Sequence, residues 1–162
     1  MKITSLVVAM LVTVTLSTII PPGLYKITCV ATGDSFDMLF EETSDGTDLI
    51  LFFYHDGAHE QFTVSYVDGP WATLVAHHSG KALTANSNAS GDSFTQQTIT
   101  GDTNQQFKFL LAKDGNYLIK NRASGLVLNC NSDAQSDYGF RLVIQESKSC
   151  TLNEKFTLTK LN

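Results

Sequence analysis

The stretch NQQFKFLLAKDGNYLIKNRASGLVLNCN, residues 104–131, decides the fold. Its polar opening, Asn104-Gln105-Gln106, runs into Phe107, and residues 107–111 read as a short half-buried strand. Asp114-Gly115 separates this run from a returning one at 117–121, and an Asp-Gly pair between two strand-like runs is the strongest short hairpin signal. Ser124-Gly125 turns the chain again, and residues 126–128 begin a third strand. One structural unit therefore ends and another begins within this stretch.

The same pattern occurs three times. Ile27, Leu74 and Ile119 each stand six places before a turn glycine, Gly33, Gly80 and Gly125. Three places after each glycine come Phe36, Leu83 and Leu128, followed by Asp37, Thr84 and Asn129. Each unit closes in a polar turn and a phenylalanine: His59-Glu60-Gln61-Phe62, Asn104-Gln105-Gln106-Phe107 and Asn153-Glu154-Lys155-Phe156. The phenylalanines lie 45 and 49 positions apart, which divides the chain into units of approximately 23–64, 65–109 and 110–162. Within the units the runs are short and separated by Gly, Asn, Asp and Ser, with no helical period; 49–54, 140–144 and 156–161 are the clearest additional strands. Four short strands in each of three units predict an all-β barrel, because closure removes the edges that short strands would expose. Phe62, Phe107 and Phe156 are assigned to its core.

The first twenty residues differ in kind. Lys2 is followed by an uncharged apolar and hydroxylic run at 6–20, the arrangement of a secretory signal peptide. The expectation is a leader over 1–20 and one domain over 21–162, secreted to the extracellular space. The formal charge is −5, and no Lys/Arg cluster occurs, which argues against nucleic acid or an anionic membrane as partner. In an oxidising compartment Cys130 and Cys150 are expected to close a loop within the third unit, leaving Cys29 as a buried thiol. Asn88-Ala89-Ser90 is a glycosylation sequon.

Three units of this length, each with a Ser-Gly or Thr-Gly turn, an apolar residue, then Asp, Asn or Thr, and a closing motif close to Asn-Gln-x-Trp, resemble the ricin-type β-trefoil lectins, and small secreted fungal members above all. The resemblance covers residues 23–162, with Phe in place of the motif's Trp. It implies a β-trefoil: three four-stranded repeats forming a pseudo-threefold barrel with a hairpin cap. It also implies carbohydrate binding without catalysis and without a cofactor, with galactose-type or N-acetylated glycans as partners.

A sugar site requires a carboxylate or amide to accept from neighbouring hydroxyls, an aromatic face for the C–H side of the ring, and a further polar group to fix orientation. The resemblance assigns these roles in the first unit to Asp37, to Phe52 at or beside the aromatic position, and to His59 with His55 nearby. In the second unit it assigns them to Asn104 and Gln105, with Thr84 in place of the acid and Gln97 near the aromatic position. In the third it assigns them to Asn129 and Asn153, with Tyr138 or Phe140 as the aromatic. The competing reading is that Asp37 makes a turn bond and Phe52 is core, since alternation over 49–54 buries half of those side chains.

No nucleophile, phosphate-loop or paired-carboxylate pattern points to an enzyme. His77 and His78, being adjacent, face opposite sides of a strand, and His55 and His59 read as solvated loop residues, so no metal is expected. Single open sugar sites bind weakly, so useful avidity would come from several sites or a homo-oligomer. The rival function is protease inhibition through exposed loops at 34–48 and 131–139, because fold alone does not fix function.

Overall fold

The computed structural model describes residues 19–130 and 133–162. Residues 1–18, most of the expected leader, lie outside them. Twelve strands follow in chain order: β1 (Gly23–Cys29), β2 (Ser35–Met38), β3 (Leu49–Phe52), β4 (Phe62–Asp68), β5 (Trp71–Ala76), β6 (Ala82–Ala85), β7 (Phe94–Gln97), β8 (Phe107–Leu111), β9 (Tyr117–Asn121), β10 (Val127–Asn129), β11 (Ile144–Glu146) and β12 (Phe156–Lys160). Among the described residues there is no α-helix; single 3-10 turns precede β4, β8 and β12.

Strands β1, β4, β5, β8, β9 and β12 pair antiparallel in a ring, β12 returning to β1, and close a six-stranded barrel. The remaining six form hairpins β2–β3, β6–β7 and β10–β11, which cap it. This is a β-trefoil, as the threefold repetition predicts. The turn glycines show why: Gly33, Gly80 and Gly125 have φ of 79°, 71° and 71° and each donates its N–H to the carbonyl four residues earlier, of Cys29, Ala76 and Asn121. A left-handed residue is needed at each of these turns, and glycine takes that conformation without steric cost.

Ile27, Leu74 and Ile119 from the barrel and Phe36, Leu83 and Leu128 from the cap are all buried, and so are Phe62, Phe107 and Phe156. The Phe36 ring meets those of Phe62 and Phe156 edge to face at 6.0 and 5.2 Å. Ile20 is buried in the same core, and its carbonyl accepts from the Tyr66 hydroxyl at 3.0 Å, so packing reaches at least to Ile20.

Two buried glutamines tie the units together. Gln96 on β7 donates to the carbonyls of Glu42 and Ser44 at 2.7 and 3.1 Å, and Gln145 on β11 donates to those of Ser87 and Ala89 at 2.7 and 3.1 Å. Each pins the long loop of the preceding unit.

The structure revises four sequence expectations. The expected strand at 49–54 ends at Phe52, and of 140–144 only Ile144 lies in a strand, Arg141 and Leu142 forming isolated bridges. Strand β4 runs past the expected first boundary to Asp68. Cys130 does not pair with Cys150: it is bonded to Cys29, with the Cα atoms 6.4 Å apart, while Cys150 is free and exposed. The reason is topological. Cys29 ends β1 opposite Phe156, and Cys130 follows β10 with its N–H on the carbonyl of Asn153, so both flank the start of β12. Cys29 is therefore not a thiol; the bridge spans 101 residues and joins the first unit to the third.

Candidate carbohydrate site of the first unit

The β2–β3 hairpin has two faces, set by strand alternation. Phe36, Met38, Leu49 and Leu51 point into the core, all at most 5% exposed. Asp37, opposite Ile50, lies on the other face together with Phe52, and this face forms the floor of a pocket of about 330 Å³. His59 enters it from the 3-10 turn Ala58–Glu60, and His55 from the loop before that turn. The structure thus brings Asp37, Phe52, His55 and His59 together as the sequence predicts.

The walls were not legible in the same way. Phe40 and Glu41, from the 3-10 turn Leu39–Glu41, form one side, and Phe140 of the third unit forms another. Phe140 packs on Phe52 and Phe40 at 5.7 Å each, and Tyr138 on Phe40 at 4.8 Å. Tyr138 and Phe140 were expected at the third unit's site; Phe140 instead lines the first unit's pocket, and Tyr138 packs on Phe40 beside it. Phe40, Phe53 and Tyr138 stay 56–68% exposed at this end of the molecule, a surface signal that sequence alternation does not carry. The stretch 34–48 is not a free loop either. It begins with β2, and its remainder is held by Gln96 and by the ion pair of Asp45 with Lys81.

The electrostatics centre on Asp37, which is 3% exposed. Burial pushes its carboxyl up to about 7, helped by Glu60 and Glu41 and opposed by His55. Its oxygen lies 3.7 Å from Nε2 of His59, and no described residue donates a hydrogen bond to it. His59 is buried too, and burial lowers its pKa despite Glu41 and Glu60. His55 is exposed and shifted upward, chiefly because its Nδ1 meets the Phe53 carbonyl at 3.3 Å. The His59 ring packs directly over Gly57: a Cβ there would lie 2.2 Å from Cε1. Gly57 has an ordinary φ of −76°, so this close approach, not the backbone, calls for glycine.

Glu60 is a structural member of the site. Fully buried, it accepts from the N–H groups of His55 (3.0 Å) and Gly57 (2.9 Å) and fixes the loop. Gln105 occupies the equivalent position in the second unit and accepts from Thr100 N–H at 2.9 Å. Its amide donates to Thr84 Oγ1 and the Thr98 carbonyl at 3.2 and 3.0 Å, so Gln105 builds the turn instead of facing a ligand.

The equivalent second pocket, about 240 Å³, contains Thr84, Gln97, Asn104 and Gln105. Asn104 donates to the Ala85 carbonyl at 3.3 Å, while its Oδ1 is buried without a partner. In the third unit Asn129 donates to Glu146 at 2.7 Å, and Asn153 is half-buried with its backbone carbonyl taken by Cys130. Asn88 is exposed in the loop between β6 and β7.

A trefoil whose cap hairpin holds an acid beside an aromatic wall and a polar closing turn defines the class of ricin-type domains. The family model described as "Ricin-type beta-trefoil lectin domain-like" matches residues 58–146, more than half of the chain. The protein belongs to this family. No curated protein matches. Among solved structures, the designed threefold-symmetric protein ThreeFoil is 31% identical with a TM-score of 0.78, over 86% of this chain and 99% of its own. The ricin B-like lectin of Macrolepiota procera, solved with lactose, is 21% identical with a TM-score of 0.69, over 89% and 100%. The Rhizoctonia solani agglutinin is 21% identical with a TM-score of 0.75, over 88% and 97%.

Proposed function

We propose that the protein is a secreted, non-catalytic lectin that binds galactose-type or N-acetylated glycans through the first-unit pocket. The observation that carries this is the meeting of Asp37, His59, Phe52 and Phe140 around one open cavity. The Asp37 carboxylate accepts from two neighbouring sugar hydroxyls, the ring faces take the apolar side of the pyranose, and His59 orients it. The Cys29–Cys130 bond supports secretion, since disulfides persist in oxidising compartments. Family membership supports the sugar class, and the lactose in the Macrolepiota lectin is a likeness of ligand that points the same way.

A glycan array probed with the mature protein tests the reading. Signal on terminal galactose or N-acetylated sugars is expected, and Asp37→Ala should remove it. A blank array, or an unchanged pattern from the Asp37→Ala protein, would sink it; loop-dependent inhibition of trypsin-like or papain-like proteases would then establish the rival activity.

A further inference from the structure

We propose that Asp37, His55 and His59 also form a binding site for a divalent ion of the zinc class, one donor atom from each, with an outward coordination position open to water or a hydroxylated ligand. The donor atoms of these three side chains all lie within 4.8 Å of one another. Tetrahedral zinc with bonds of about 2.0–2.1 Å holds its ligands roughly 3.4 Å apart. The Asp37–His59 distance of 3.7 Å is close to that already. The remaining adjustment, on the order of an ångström, falls to His55, whose side chain is 41% exposed.

The surroundings of the two imidazoles fit this role. Nδ1 of His55 lies 3.1 Å from Glu60 Oε1, and Nδ1 of His59 lies 3.8 Å from Glu41 Oε1. At His55 the carboxylate is close enough to hold the proton on Nδ1, leaving the Nε2 lone pair for a metal, and at His59 the Glu41 charge favours the same arrangement. The ring of His59 is further fixed by its seat over Gly57. Three protein ligands and one open position are the pattern of zinc sites that exchange an external ligand, not of closed structural ones.

At the positions of Asp37 and His59 the second unit has Thr84 and Asn104, and the third Asn129 and Asn153. Only the first unit combines a carboxylate with histidines, and only there does the closing turn bring them onto one pocket. The inference concerns the same cavity as the sugar reading but does not rest on it, since metal binding is measured without sugar.

The test is calorimetric titration of chelator-stripped, desalted protein with zinc chloride, in the absence of glycan. One ion per chain is expected. His59→Gln and Asp37→Asn should each weaken binding by at least tenfold, His55→Gln likewise, and His77→Gln should leave it unchanged. His55 lies on an exposed loop, so its variant keeps the test sound if the buried ones fold poorly. Cobalt chloride should give visible absorption bands that His55→Gln removes. Absence of saturable one-to-one binding, or equal affinity in the native, His55→Gln and His59→Gln proteins, would overturn the inference. A blank glycan array with zinc binding intact would refute the lectin reading alone.

Discussion

The first and second units are built on one frame and differ in how the buried residue of the closing turn meets the cap hairpin. In the second, Gln105 accepts from the loop with its oxygen and donates with its nitrogen to Thr84, which in turn donates to the Ala82 carbonyl at 2.9 Å. The side chains of Gln105 and Thr84 therefore satisfy each other and the loop. In the first, Glu60 takes over the loop but has nothing to donate, and the residue above it is an acid. Asp37 is left without a donor among the described residues and with a like charge beneath it. With glutamate where the second unit has glutamine, a closed position becomes an acceptor lining the pocket, which a polyhydroxylated ligand can satisfy.

The largest expected effect follows from removing that acceptor. Asp37→Asn should lower glycan affinity by about 100-fold, near 3 kcal/mol, because a charged acceptor becomes a neutral one and half its lone pairs become donors. Thr84→Ala, its counterpart, should change affinity less than twofold. The same variant tests the pKa. The folded protein holds the Asp37 proton up to about pH 7 and the unfolded chain releases it near 3.8, so this group's stability contribution is present below 3.8 and lost as pH rises to 7. Asp37→Asn should therefore be more stable than the native protein at pH 8, by on the order of 3 kcal/mol, and should show no such advantage at pH 3.5. Chemical denaturation at both pH values, in chelator, reads this; an equal difference at the two would refute the assignment.

The next effect separates the pocket from its support. Gln96→Ala should cost about 2 kcal/mol, since it removes the donors to Glu42 and Ser44 and the acceptor for Ser79. It should also weaken glycan binding, because the released loop carries Phe40 and Glu41. Gln145→Ala should cost a similar amount of stability yet leave binding unchanged, since its loop belongs to the second unit. Urea denaturation and titration of the same samples with glycan check both. Glu60→Gln makes the first unit like the second: the Asp37 pKa should fall, read by NMR titration of its carboxyl carbon.

How much of this was legible follows from locality. The repeat fixes the barrel because its signals, Gly33, Gly80 and Gly125 with their flanking apolar residues, act within a few positions of each other. Asp37, Phe52 and His59 were legible for the same reason: one hairpin and one closing turn hold them. What crosses between units was not. The Phe140 wall, the Gln96 anchor and the Cys29–Cys130 bond all depend on how threefold closure sets one unit's loops beside another's. Loop spacing favoured pairing Cys130 with its nearer neighbour, whereas closure favours the partner 101 residues away. Burial was misjudged too: His59 reads as a solvated loop residue, but the 3-10 turn rotates it inward to 5% exposure.

The smallest effect returns to the frame the units share. Four places before Glu60, Gln105 and Glu154 stand Asp56, Gly101 and Cys150, with φ of 66°, 84° and 62°. At each, the chain doubles back in a left-handed conformation so that the buried acid or amide can collect nearby N–H groups. Glycine takes this conformation freely, whereas a residue with a Cβ is strained there by about 1 kcal/mol. Cys150 is thus held in a glycine position on the surface. Cys150→Gly should raise stability by about 1 kcal/mol, Asp56→Gly by less, because aspartate tolerates the left-handed region and Asp56 accepts from Tyr54 at 2.8 Å. Gly101→Ala should cost a comparable amount in the second unit. If thermal melts show Cys150→Gly and Gly101→Ala shifting in the same direction, the three closing turns do not share the geometry on which the comparison of the units depends.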